Sequence, residues 1–241
     1  MKPPSEFVWT PKRVEAFWNF ESRYPKRYFT YHYGVEMVRQ LRPFLPRNGS
    51  ILDYGCGAGH MLRELLERGY RTGGADSSDR ALERVNAEQE GRDNFLGAYR
   101  PEVLHEKNTR FDAVLVLEVV EHLYDEGLDW LLGTAQGLVK ADGHILFTTP
   151  NEERLEDSQL LCPCCDQVFH RWQHVRSWSK ASLCRYLQER GMTVTDAFTT
   201  DFRLSFHKKG QRWWSLRKAL AYRLKPHKAG PNLVVVCRPA E

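Results

Sequence analysis

Apolar positions between residues 51 and 200 alternate between short unbroken runs and stretches of helical period. Ile51-Leu52, Phe111-Asp112-Ala113-Val114-Leu115-Val116-Leu117 and Gly143-His144-Ile145-Leu146-Phe147 are runs of the kind found in strands buried on both faces. Met61 to Leu66, Ala81 to Val85 and Asp129 to Val139 have helical spacing, the last closed by Asp142-Gly143. Alternation of this kind predicts a parallel sheet with helices on both faces. Upstream, Pro11 to Phe20 reads as a helix with proline at its start, and Val35 to Leu41 as a second helix ended by Pro43; an aromatic stretch from Tyr24 to Tyr33 separates them. Downstream, Lys180 to Leu187 reads as a helix stopped by Gly191. Met192 to Phe198 and Asn232 to Cys237 read as the last two strands.

Composition narrows this picture. A chain of 241 residues with 41% hydrophobic content is one domain with additions. We divide it into a helical cap over 1–50 and a main domain over 51–241, with a basic insertion over 203–230. No run reaches the roughly 18 apolar residues of a membrane span, and Met1-Lys2-Pro3-Pro4 begins no signal peptide, so the expectation is a cytoplasmic protein. Six cysteines then imply reduced thiols or a metal. The net charge of +4 is concentrated: Arg203 to Lys228 holds nine Lys and Arg and no acid, leaving the remainder net negative. Trp213, Leu216, Leu220 and Leu224 would share a helical face flanked by Arg212, Lys218, Arg223 and Lys225. That pattern suits peripheral contact of 211–225 with the inner membrane face or an anionic substrate. Packing on the sheet edge is the plainer alternative, and the acidic remainder disfavours nucleic acid.

The chemistry begins at Asp53-Tyr54-Gly55-Cys56-Gly57-Ala58-Gly59, between an apolar strand and a helix. Glycines there let backbone approach a ligand, and the helix N-terminus offers free N–H groups. The alternating glycines behind an acid do not follow the dinucleotide spacing, and Asp53 would repel a pyrophosphate but suits a cationic amino-acid head group. These residues resemble the class I S-adenosylmethionine-dependent methyltransferases. The resemblance extends to Arg71-Thr72-Gly73-Gly74-Ala75-Asp76, similar to the family's second strand ending in a ribose-binding acid, then to the strand before Glu118 and to Gly143 through Asn151. It implies a Rossmann-like, doubly wound α/β fold: a mostly parallel seven-stranded sheet with an antiparallel last strand and an N-terminal helical cap over the cofactor. It also implies S-adenosyl-L-methionine held by Asp53, Gly55, Cys56, Gly57 and Gly59 at its methionine portion, by Asp76 and Ser77 at the ribose, and by Glu118. The stretch Asn94 to Arg100 departs from the family in having no acidic or polar residue in the place expected to contact the adenine.

Glu118, Glu121 and His122 stand at i, i+3 and i+4 past a strand end, so a helical turn there would put them on one face. Neighbouring carboxylates need a shared proton or a cation between them. With Thr148-Thr149-Pro150-Asn151 and His174-Val175-Arg176-Ser177-Trp178, this is similar to small-RNA 2′-O-methyltransferases, whose resemblance implies Mg²⁺ on Glu118, Glu121, His122 and His174. The Glu-x-x-Glu-His element also resembles ubiquinone-biosynthesis O-methyltransferases, which act on a catechol-like ring. Without metal, the alternatives are a helix-capping carboxylate pair with His122 as a lone general base, Glu118 serving only the cofactor, or a purely structural role; His122 and Glu121 are the expected catalytic residues. Cys162 and Cys165 have Cys-x-x-Cys spacing and would form a Zn²⁺ site with His170 or His174, in competition for His174; reduced thiols are the simpler reading. The expectation is therefore an O-methyltransferase for a small hydroxylated acceptor: a sugar diol, lipid-linked or in a polysaccharide, or a catechol-like ring. The rivals are an RNA-terminal 2′-O-methyltransferase and a non-catalytic cofactor-binding assembly protein.

Overall fold

In a computed structural model of the chain, the structure describes residues 5–204 and 230–239. It opens on a short strand, β1 (Ser5–Glu6), and two helices, α1 (Pro11–Glu21) and α2 (Phe29–Leu41). Thr10 caps α1, its side chain accepting from Arg13 N, and Pro11 takes the first helical position, where a missing N–H costs nothing. Helix α2 begins at Phe29, so half of the aromatic stretch expected to lie between helices is helical.

Strand and helix then alternate as the periodicity predicts. They run β2 (Ser50–Tyr54), α3 (His60–Glu67), β3 (Arg71–Ala75), α4 (Asp79–Gln89) and β4 (Phe95–Tyr99). Next come α5 (Pro101–Glu106), β5 (Phe111–Leu117), α6 (Asp125–Leu138) and β6 (Val139–Pro150). A hairpin of β7 (Gln159–Leu161) and β8 (Gln167–His170) precedes α7 (Lys180–Gln188), β9 (Thr193–Thr200) and β10 (Asn232–Arg238). Asp142-Gly143 does not close α6. The helix ends at Leu138 and the chain enters β6 directly, with a register break opposite Phe111 and Ala113. Gly143 is needed at that break, because a Cβ there would lie 2.8 Å from the carbonyl oxygen of Asp112.

Seven strands form one sheet in the order β4-β3-β2-β5-β6-β10-β9. Pairing is parallel from β4 to β6, and β10 runs antiparallel to both β6 and β9. The reversed last strand is as expected. Period-two alternation distributes the continuous apolar runs between two cores. Val114 and Val116 of β5 pack with α6 and α7 through Leu128, Leu131, Leu132, Leu183 and Leu187. Ala113, Leu115 and Leu117 face Met37, Val38, Leu41, Met61 and Leu65 of α2 and α3. Both faces are covered, which is why these strands read as unbroken apolar runs.

The chain extends outward from β2 to β3 and β4, then returns to β5 on the other side of β2. That reversal opens a crevice at the C-terminal ends of β2 and β5, the position where open α/β sheets take ligands. A second, small sheet, β1-β8-β7, lies apart from the main one, with β1 parallel to β8. It was not legible in the hydrophobic pattern, because strands of two to four residues carry no period. The segment 211–225, read as a membrane-contacting helix, lies outside the described residues. No helix among the described residues is long and apolar enough to cross a membrane.

Candidate active site

The glycine corner is built from backbone. Gly55 and Cys56 donate their N–H groups to the carbonyl of Ala75, at 2.7 and 3.0 Å, tying the turn after β2 to the end of β3. Gly55, Gly57 and Gly59 all have positive φ, at 79°, 50° and 73°. At Gly55 a side chain is excluded twice over, since its Cβ would meet Val119 Cγ2 at 2.7 Å. Gly57 donates to Asp76 Oδ2 at 2.8 Å, while Ser78 N donates to Asp76 Oδ1 at 2.8 Å and its side chain caps α4. Asp76 thus stands at the rim of the crevice with its carboxylate aimed by two main-chain donors; Ser77 beside it is exposed. Burial pushes Asp76 above the usual carboxylate range, against its backbone hydrogen bonds.

Asp53 sits at the end of β2 beneath this turn, 3% exposed. Burial, and then the charge of Asp76, push it up to about 7. Its Oδ2 has no hydrogen-bond partner among the described residues. An orphaned buried carboxylate oxygen next to three glycines fits a ligand that brings hydrogen-bond donors and positive charge. Cys56 is buried between the corner and α3, where burial raises its thiol well above the ordinary range, so it packs and does not react.

Across the crevice, β5 ends at Leu117 and the chain turns sharply. Glu118 adopts φ of 55°, a conformation costly for a non-glycine residue, while its N–H donates to Thr148 O at 2.9 Å. Val120–His122 then form a single 3₁₀ turn. The helical face expected to align Glu118, Glu121 and His122 does not form. Glu118 accepts from Thr148 Oγ1 at 2.8 Å, while Glu121 accepts from Thr149 Oγ1 at 3.1 Å. One potential ligand atom each from Glu121, His122 and His174 lies within 4.8 Å of the others, and Glu118 is not part of this group. Glu118 lies outside this close grouping, its carboxylate hydrogen-bonded to Thr148 of β6, while it remains near enough to Glu121 for their charges to interact.

The triad is dry and incompletely satisfied. Glu121 is 1% exposed, and its Oε1 has no hydrogen-bond partner among the described residues, nor does His122 Nδ1. Burial raises Glu118 to about 7, and burial with the adjacent Glu118 raises Glu121 well above its ordinary value. Burial, then the His174 imidazole, push His122 down to about 3, leaving it neutral at pH 7. Two carboxylates that resist ionisation beside the neutral imidazole of His122, with His174 within reach, form a donor set that suits a divalent cation.

Four residues not assigned a role from sequence hold the triad. Gln173, fully buried at φ of 61°, donates from Nε2 to His122 O at 2.9 Å. It accepts from Trp18 Nε1 of α1, also at 2.9 Å. The Trp18 ring meets His122 edge-on, centroids 4.9 Å apart. Glu153, in the loop after β6, accepts from His174 Nδ1 and lies 3.4 Å from His170 Nε2. Burial alone would raise Glu153, yet the two imidazoles hold it down at about 2. Val175 N donates to Glu121 O at 2.9 Å, binding this segment to the 3₁₀ turn. The only sequence signal for these was indirect: Glu153 follows Thr148-Thr149-Pro150-Asn151, and Trp18 lies in the helix expected to cover the site.

The cysteines fall elsewhere. Cys162, Cys164 and Cys165 occupy the turn of the β7–β8 hairpin, and no cysteine joins a metal-capable group among the described residues. His170 and His174, which would have completed a zinc site, face Glu153 instead. Trp178 is 5% exposed and packs against Tyr186, centroids 5.2 Å apart, while its carbonyl accepts from Glu152 N at 2.7 Å.

Residues 26–197 match a family described as a methyltransferase domain. The ubiquinone biosynthesis O-methyltransferase of Ruegeria sp. (strain TM1040) is 32% identical over 178 residues, covering 70% of this chain and 70% of that protein. The enzyme of the same name from Paramagnetospirillum magneticum is 28% identical over 212 residues, covering 79% and 82%. Among solved structures, a Burkholderia thailandensis 1,6-didemethyltoxoflavin-N1-methyltransferase with bound 1,6-didemethyltoxoflavin and S-adenosylhomocysteine superposes with a TM-score of 0.66. It covers 99% of this chain and 94% of its own at 17% identity, a likeness of fold.

Proposed function

Because the chain belongs to the methyltransferase-domain family and is an S-adenosylmethionine-dependent methyltransferase, we propose that it methylates an oxygen of a small hydroxylated acceptor with the help of a divalent cation. The observation that carries this reading is the buried group of Glu121, His122 and His174, with Glu121 Oε1 and His122 Nδ1 lacking partners among the described residues. Relatives named as O-methyltransferases support the choice of oxygen. The acceptor class is a vicinal diol or catechol-like ring, since adjacent oxygens match a cation held on one side by protein.

Asp53 and the three glycines would take the methionine portion of the donor and Asp76 its ribose. Their orphaned oxygen and left-handed backbone leave room for groups that a side chain would displace. Transfer is an in-line displacement, in which an acceptor oxygen bonds the methyl carbon as the carbon–sulfur bond breaks and the acceptor proton departs. With a cation bound, Glu121 and His122 would hold it against the acceptor oxygen and the proton would pass to solvent; without one, they would draw off that proton themselves. Bound Mg²⁺ or Zn²⁺ would lower the pKa of the hydroxyl and supply the positive charge that two buried carboxylates call for. Trp18 and Gln173 would keep the His122 turn in place and close it to water. The segment 211–225, outside the described residues, suits an anionic or lipid-linked acceptor by its charge.

The test offers S-adenosylmethionine with a catechol, a vicinal-diol glycan or an RNA 3′ end, before and after chelation, and detects the added methyl by mass. The expected result is methylation of a catechol or glycan oxygen that stops in chelator and returns with Mg²⁺ or Zn²⁺. Full turnover in chelator would leave Glu121 and His122 as a protein-only pair, and transfer to RNA alone would reassign the acceptor.

A further inference from the structure

Two groupings of possible ligands share one residue. Glu121, His122 and His174 form the first; Glu153, His170 and His174 form the second. The hydrogen bonds distinguish their roles. Glu153 Oε2 accepts directly from His174 Nδ1, which leaves no room for an ion between them. His170 Nδ1 accepts two main-chain donors, Trp172 N at 3.3 Å and His174 N at 3.2 Å. A neutral imidazole that accepts at Nδ1 carries its proton on Nε2. His170 Nε2 lies 3.4 Å from Glu153 Oε1 without a hydrogen bond among the described residues, and the His170 side chain is 3% exposed. The His170 and His174 rings stack 21° from parallel with centroids 4.4 Å apart, which fixes both planes.

His174 follows the same bookkeeping. With Nδ1–H committed to Glu153, its free lone pair is on Nε2, the nitrogen left for the Glu121 and His122 side. The His174 ring lies 4.8 Å from the His122 ring, centroid to centroid. A carboxylate behind a ligating imidazole selects its tautomer, fixes its orientation and raises its basicity.

Resting on the functional reading above, we propose that Glu153 is the positioning residue of this site. Its carboxylate holds the Nδ1 proton of His174 and thereby presents the Nε2 lone pair to a divalent cation shared with Glu121 and His122. His170, stacked on His174, lies beside the other oxygen of the same carboxylate. The Glu153–His174 hydrogen bond makes the second grouping a support for the first.

Mn²⁺ titrated into the full chain by calorimetry, with S-adenosylmethionine affinity measured on the same samples, tests this. Glu153→Gln and Glu153→Ala should weaken Mn²⁺ binding about 10–100-fold while donor affinity stays at the wild-type value, which shows the fold intact. Glu153→Asp should restore part of the Mn²⁺ affinity, and His170→Asn should lose less than Glu153→Ala. Wild-type Mn²⁺ affinity in Glu153→Gln and Glu153→Ala overturns the positioning role alone. Absence of Mn²⁺ uptake by the unmodified chain overturns the metal reading and this inference with it.

Discussion

The two sides of the crevice are made by different means. On the side proposed for the donor, main-chain groups do the shaping: Gly55 and Cys56 are tied to Ala75, and Gly57 and Ser78 aim Asp76. These contacts lie within two short stretches, 53–59 and 75–78. On the side proposed for the acceptor, side chains from five separate segments converge. Trp18, Glu121 with His122, Thr148 with Thr149, Glu153, and His170 through His174 meet through contacts spanning up to 155 residues of sequence. A backbone-built corner tolerates change in its neighbours but no added Cβ. A side-chain-built pocket tolerates changes in chain path but no loss of a functional group.

Removing a functional group from the acceptor side should therefore give the largest effect and leave the donor side untouched. Glu121→Gln keeps the volume and removes the ionisable oxygen, and His122→Ala removes the imidazole lone pair. Each is expected to lower kcat/KM by about 10²–10⁴-fold, the range of a lost acid–base group. Calorimetry with S-adenosylmethionine should show unchanged affinity. Loss of donor binding in either variant would mean that the two sides are one structure.

The converse change is smaller and falls on the other observable. Gly55→Ala places a Cβ at φ of 79° and 2.7 Å from Val119. The left-handed backbone costs about 1–2 kcal/mol and the overlap about 1–3 kcal/mol. A lower Tm and weaker donor binding should appear together. Adding Val119→Ala should recover only the overlap, so a complete rescue would show that backbone conformation is not what Gly55 supplies.

How much of this was legible follows from the same difference. The sheet was readable because β5, β10 and the centre of β6 are buried on both faces and so carry apolar runs, while the reversed last strand followed from the family resemblance. The donor corner was readable because glycines at positive φ leave a local spacing. On the acceptor side, Glu121, His122 and His174 could be named from the residues, but the shared helical face could not form once Glu118 turned left-handed. Glu153 and Gln173 had no local signal, since each gains its role from a partner far along the chain. The β1-β8-β7 sheet was equally silent, and the same hairpin carries Cys162 and Cys165 away from the histidines that spacing alone had paired with them.

A pH series sharpens the donor side further. Asp53 has a folded pKa of about 7 against an unfolded value of about 3.9. The donor-free fold therefore prefers the protonated acid. The stability this contributes is complete below about pH 4 and is lost as pH rises through about 7. A cationic donor prefers the ionised form, so its binding should release a proton below pH 7. Affinity should rise with pH between 5.5 and 7, by at most about tenfold per unit. Calorimetry in buffers of different ionisation enthalpy counts that proton, and Asp53→Asn should flatten the dependence. A flat wild-type profile would detach Asp53 from the donor.

The smallest effect tests whether the N-terminal helix belongs to the acceptor side or merely covers it. Trp18 touches the triad in two ways, by its ring edge against His122 and by Nε1 to Gln173 Oε1. Trp18→Phe preserves most of the first contact and removes the second. Gln173 Oε1 then loses its donor in a fully buried setting, and the other end of the same amide is what holds His122 O. One neutral hydrogen bond contributes about 1 kcal/mol net, so kcat should fall about fivefold. Donor affinity and the Gly55-dependent Tm should not move, because the bond joins no residue of the glycine corner. Gln173→Glu in the Trp18→Phe background should worsen kcat, as it places an unpaired buried charge against the carbonyl oxygen of His122. Should Trp18→Phe instead weaken donor binding at constant kcat, α1 would be a lid on the glycine corner, and the division between the two sides would have to be redrawn along Tyr28, whose ring lies 6.4 Å from Trp18 and would be 3.2 Å from a Cβ at Gly57.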